Sequence, residues 1–154
     1  MSWAGEPSLP PGIPPGGLEI EEIVDQIAAL SNAVTATIAT SQTTASTSYV
    51  DLATVGPAQT VTVRPSGLVK VTLTGNLSNS GANYSVMGVT LSGANVVAAV
   101  DTTSLQHFST APHRGSYTAL ITGLTAGVTT FTAQYRVTGG TGTFVDRNII
   151  VETL

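Results

Sequence analysis

The sequence predicts a mainly β protein: an antiparallel β-sandwich or jelly roll, preceded by one N-terminal coiled-coil helix and an extended Pro-rich arm. Three observations predict it. From about Tyr49 onward, short apolar runs alternate with Thr and Ser and are broken by Gly and Pro turns. Over residues 18–38 the apolar spacing changes to steps of 3 and 4. Over residues 1–17, five Pro and four Gly exclude helix or sheet interior.

The arm, residues 1–17, is expected to be extended and polyproline-like. Trp3, Leu9 and Ile13 are its apolar residues, with no local core to bury them. Two readings compete: a disordered terminus, or an anchoring arm that docks on a neighbour.

The helix, residues 18–38, carries Ile20, Ile23, Ile27, Leu30 and Val34 in a heptad stripe. Its acids Glu19, Glu21, Glu22 and Asp25 fall in the first turns, where the helix dipole favours negative charge. The stripe could pack on the domain's own sheet or form a short parallel coiled coil. Isoleucine at both a and d shifts the coiled-coil preference towards trimers. A polar linker, residues 39–47, follows.

The β body spans 48–154, with strand candidates at 48–54, 59–64, 68–75, 84–92, 95–100, 116–123, 128–138 and 143–152. Val69, Val71 and Leu73 alternate with Lys70, Thr72 and Thr74. Phe131, Ala133, Tyr135 and Val137 alternate with Thr132, Gln134, Arg136 and Thr138. That period marks sheets wetted on one side. Phe131, Tyr135 and Phe144 are expected inside. Asp101 to Gly115 reads as one long loop, and Gly139 to Gly142 as a hairpin turn.

Charge narrows the function. Only 9% of residues are charged, against roughly 25% in an average soluble domain. Residues 1–25 hold five acids and no base, so the body is nearly neutral. Five cations in all cannot neutralise a run of phosphates, which excludes nucleic acid and anionic membrane as partners. No apolar run approaches the ~20 residues of a membrane span, and no signal h-region is present. Cysteine is absent, which removes disulfides and thiolate chemistry.

No motif specifies an enzyme, so no catalytic residue and no cofactor are expected. Gly139-Gly140-Thr141-Gly142 leads into a strand rather than a helix, so it cannot cradle a phosphate. A glycosidase pair would have to come from Asp51, Asp101, Asp146 and Glu152, of which Asp146 reads as an ion-pair partner. His107 and His113 match no metal-ligand spacing, so no metal site is expected. His107, Phe108, His113 and Arg114 form a candidate receptor loop for a host glycan.

The stretch from Phe131 to Leu154 carries a family pattern: Phe131 and Tyr135, a Gly/Thr turn with Phe144, then Arg147 followed by Ile149 and Val151. The turn Gly123-Leu124-Thr125-Ala126-Gly127 also fits. It resembles the C-terminal strands of trimeric jelly-roll domains of the tumour-necrosis-factor and complement type. Over 43–154 the chain resembles small structural proteins of phages infecting actinobacteria, of the decoration or minor tail kind. The resemblance implies a non-enzymatic homotrimer on the exposed surface of a virion. Its expected partners are a second and third copy of itself and the major capsid protein or tail proteins. A capsid decoration or head fibre anchored by the arm is the first expectation. A minor tail or tail-tip protein whose knob binds host carbohydrate is the second.

Overall fold

The computed structural model describes Ile20, Ile23 and residues 32–154. The unit Asn32–Leu154 is a sandwich of two antiparallel sheets. In chain order its strands are β1 (Asn32–Ile38), β2 (Gln42–Thr44), β3 (Ala58–Val63), β4 (Val69–Asn79) and β5 (Tyr84–Gly93). A 3₁₀ turn (Asp101–Thr103) precedes β6 (Leu105–Phe108), β7 (His113–Ile121), β8 (Gly127–Val137) and β9 (Gly142–Thr153). The first sheet has the order β1-β9-β4-β7, with β2 also on β9; the second has the order β3-β8-β5-β6. After β2, every connection except β5 to β6 crosses from one sheet to the other.

The alternation read from the sequence sets the core. Val69, Val71, Leu73 and Leu77 of β4 meet Phe131, Ala133 and Tyr135 of β8 and Phe144, Ile149 and Val151 of β9 in one buried cluster. Each large apolar side chain buried this way contributes about 1.5–3 kcal/mol. The opposite faces carry threonines whose hydroxyls satisfy one another across strands. Thr72 and Thr118 Oγ1 lie 2.9 Å apart, and Thr60 and Thr130 Oγ1 lie 2.7 Å apart.

Several expectations are corrected. The helix expected over 18–38 is not shown among the described residues: Asn32–Ile38 is strand β1, and Val34 lies opposite Val151 of β9. Val34, Ala36 and Ile38 are the half-buried alternate residues of that strand, with Ala33, Thr35 and Thr37 exposed. Val34 therefore belongs to the sandwich and not to a coiled coil. Ile20 and Ile23 are helical, while Ile27, Leu30 and the arm residues Trp3, Leu9 and Ile13 lie outside the described residues. The 39–47 linker contains β2. The candidates 48–54 and 95–100 reduce to single bridges, Val50 to Tyr135 and Val97 to Leu91.

The long loop is also shorter than expected. Residues 101–115 contain the 3₁₀ turn, β6 and the start of β7. Gly139 to Gly142 is not a hairpin, since β8 and β9 belong to different sheets. It arches between them beside the turn after β4, and Asn79 fastens the two. Asn79 Nδ2 donates to Gly139 O at 3.1 Å, and Gly81 N donates to Asn79 Oδ1 at 3.0 Å. Glycine is required at 142, where a Cβ would stand 2.7 Å from Val137 Cγ1 and 2.8 Å from Ser85 Oγ.

One buried charge organises the interior. Asp146 and Arg147 together face Gly75 of β4, a β-bulge, and Asp146 takes the left-handed φ of 49° that Asp tolerates. The extra residue reverses the in/out phase of β9. Phe144 points in before it, and Arg147, Ile149 and Val151 point in after it. Arg147 is fully buried. Its Nη2 donates to Gln42 Oε1 at 2.9 Å and Thr40 O at 3.3 Å, and Nη1 reaches Gly56 O at 3.5 Å. Its guanidinium carbon sits 5.3 Å from the Tyr135 ring centroid. Arg147→Ala takes a donor from each of these oxygens and opens a void, so chemical denaturation should show a loss of about 3 kcal/mol. An unchanged midpoint would remove this role from Arg147.

Candidate functional site

The four acids of the body are dispersed. Asp51 Oδ1 accepts from Gln134 Nε2 at 3.2 Å, Asp146 faces Arg114 at 3.9 Å, and Glu152 pairs with Lys70. Asp101 pairs with Arg136. Among the described residues, no group of three or more His, Asp or Glu could hold a metal ion, and no helix is long and apolar enough to cross a membrane.

Two side-chain clusters stand out on the second sheet. The first is a latch on its outer face. Gly88 of β5 has no side chain, and the Tyr49 ring occupies the vacant space; a Cβ there would lie 2.7 Å from Tyr49 Cε1. Tyr49 Oη donates to Asp101 Oδ1 at 2.8 Å, and Arg136 Nε donates to the same oxygen at 2.8 Å. Arg136 Nη2 donates to Asp101 Oδ2, making a two-point clamp. The guanidinium carbon is 5.6 Å from the Tyr49 ring centroid. The latch fixes the 3₁₀ turn, whose Thr102 O accepts from Tyr117 Oη at 2.9 Å.

The second cluster gathers most of the candidate receptor residues. The β5/β6 register sets Tyr84 opposite Phe108 and Ser85 opposite His107. The Tyr84 and Phe108 rings lie 4.9 Å apart between centroids and are tilted by 55°. They are 42% and 53% exposed, high for aromatic side chains. His107 and His113 stack across the short β6–β7 turn at 5.3 Å and 21°. His107 Nε2 donates to Ala111 O at 3.0 Å. Asn79 N donates to Ser109 O at 2.9 Å, which ties the turn to the end of β4. Arg114 is directed to Asp146 instead.

The structure brings His107, Phe108 and His113 together and adds Tyr84, the second ring of the pair, which the sequence does not mark. Its only local signal is its place at the start of a strand after the Asn79-Ser80-Gly81 turn. Tyr49, Asp101 and Arg136 were equally unmarked as a group, because they are far apart in sequence.

No protein-family model and no curated protein matches this chain. The site is therefore read from its own chemistry.

The latch and the core give linked pH behaviour. Burial, followed by the hydrogen bond to Asp101, pushes the Tyr49 phenol up to about 12. Burial pushes the Tyr135 phenol up to about 12 as well. Both start from an ordinary value of 10.0, so the folded chain keeps protons that the unfolded chain loses. Their contribution to stability is full below pH 10 and is lost as pH rises through about 12. Denaturation midpoints should fall across that window, and Tyr135→Phe should flatten the fall. Phenolate absorbance from either residue near pH 10 in the intact fold would contradict this.

Asp101 has the opposite sign. The hydrogen bond from Arg136 holds its carboxyl below its ordinary value of 3.8. The latch is intact above that pH and opens as acid titrates the lowered carboxyl. Asp101→Asn should therefore make stability less sensitive to acid below pH 3.8. A mutant with the wild-type acid profile would show that the latch contributes nothing.

Proposed function

We propose that this chain is a non-enzymatic structural protein that assembles as a homotrimer and forms an exposed knob on a phage virion. The observation that carries self-association is an unprotected sheet edge. Among the described residues, strand β7 ends the first sheet and pairs only with β4. Natural sheets guard such edges with charge, proline or bulges. From Gly115 to Ile121 this strand has no charged residue and no proline. Leu120 is 57% exposed on it, and Tyr117 is exposed beside it. The Tyr117 bond to Thr102 brings the preceding segment to the same edge, with Val97 and Val100 exposed. A second copy is the partner that would cover such a surface in an otherwise neutral protein.

The finer fold reading has its own support. Two sheets ordered β1/β2-β9-β4-β7 and β3-β8-β5-β6, with repeated crossing between them, are consistent with a jelly roll of the tumour-necrosis-factor and complement type. The threefold order rests on that resemblance and on the isoleucine stripe, of which Ile20 and Ile23 are helical and exposed. The arm with Trp3, Leu9 and Ile13 would anchor the knob, and capsid decoration is the preferred position. Three arms acting together gain avidity, so each contact can be weak.

Replacing Leu120 or Val97 by Lys should convert the trimer to monomer in sedimentation experiments and leave the circular dichroism unchanged. A Leu120→Lys protein that stays trimeric would remove β7 from the interface. Electron cryomicroscopy of particles should place the knob on the capsid; density on the tail alone would overturn that position.

A further inference from the structure

The Tyr84–Phe108 pair is a surface the assembly reading does not use. Two large rings stand exposed side by side at the outer face of β5 and β6. Exposed aromatic surface is unfavourable in water unless something covers it in use. The tilt of 55° between the rings makes a shallow angled platform rather than a closed stack.

The surroundings state the chemistry of the occupant. Gln106 lies two residues from Phe108 on the same face of β6, and it is exposed. On the other side of Tyr84, Thr138 is exposed, and its Oγ1 accepts from Tyr84 N at 2.9 Å. Both are neutral: Gln106 Nε2 already donates to Asp101 O at 3.0 Å and Ser104 Oγ at 3.1 Å, which leaves its Oε1 to accept from a ligand hydroxyl. The nearby charges are already committed: Arg136 is clamped by Asp101, and Arg114 faces Asp146. The His107–His113 stack stiffens the β6–β7 turn that carries Phe108.

We infer that Tyr84 and Phe108 form a binding platform for a neutral pyranose glycan. A pyranose ring has one face of C–H groups and an equator of hydroxyls. Its C–H face can lie on the aromatic rings while Gln106 and Thr138 meet the hydroxyls. A carboxylated or sialylated sugar would find no uncommitted cation among these neighbours. The site stands independently of the trimer, because it lies on β5 and β6 rather than on β7.

The test uses the full chain with soluble laminari-, cello-, manno- and galacto-oligosaccharides, and with sialyl-lactose as a charged control. Saturation-transfer NMR should show contact with at least one neutral probe and none with sialyl-lactose. Phe108→Ala and Tyr84→Ala should each weaken binding about tenfold or more, while Phe108→Tyr keeps it. Sedimentation should find both alanine variants assembled as wild type. No transfer from any neutral probe would overturn the proposal, as would undiminished binding in both alanine variants. If Phe108→Ala instead dissociates the protein, the rings are a subunit contact and the glycan site falls. The Leu120→Lys result reads the assembly separately, so either idea can fail alone.

Discussion

The structure depends on a cation placed where no cation would ordinarily go. Arg147 is completely buried and has neutral oxygens rather than a carboxylate around it. Taking a charge out of water is expensive, and only several well-placed acceptors can offset it. Those acceptors come from Thr40 between β1 and β2, Gln42 at the start of β2, and Gly56 just before β3. Arginine thus ties the segments before β3 to β9, alongside Leu52, which enters the core by itself. Tyr135 completes the arrangement: its ring lies beside the guanidinium, and its hydroxyl donates to Gly56 O at 2.8 Å. Phe144 then packs edge-on against Tyr135 at 4.8 Å. The bulge at Asp146 is what turns Arg147 inward, so one backbone irregularity sets both the phase of β9 and the closure of the sandwich.

What was legible in the sequence was whatever has a local cause. The alternation in β4 and β8 is written in adjacent residues, and both strands bury the expected faces. The N-terminal boundary shows the limit. Val34 continues the spacing of Ile20 and Ile23, yet Val34-Thr35-Ala36-Thr37-Ile38 also alternates and is rich in β-branched residues. Contact with Ile149 and Val151, more than a hundred residues away, decides for strand. The turn at Gly139 to Gly142 has the same local residues whether it closes a hairpin or arches between sheets. Strand β6 is too short, at four residues, to announce itself. The cluster follows the same rule: Phe108 and the histidines sit close in sequence, whereas Tyr84 joins them only through the β5/β6 register.

The low charge takes on a consistent physical meaning across the molecule. Threonine and serine fill the outer faces because they satisfy one another in cross-strand pairs without counter-ions. The cations Arg136, Arg114 and Lys70 each face an acid at the surface, and Arg147 is sealed inside. A surface built this way has little to repel a second copy, and among the described residues the outer edge of β7 is unpaired. Steric and hydrogen-bonding complementarity would then set assembly, with little dependence on salt.

The native mass of the full chain at micromolar concentration tests the central claim most directly. Self-assembly as a homotrimer predicts a single species at three times the 15.6 kDa chain mass, unchanged by added salt. A folded species of 15.6 kDa under the same conditions would contradict it.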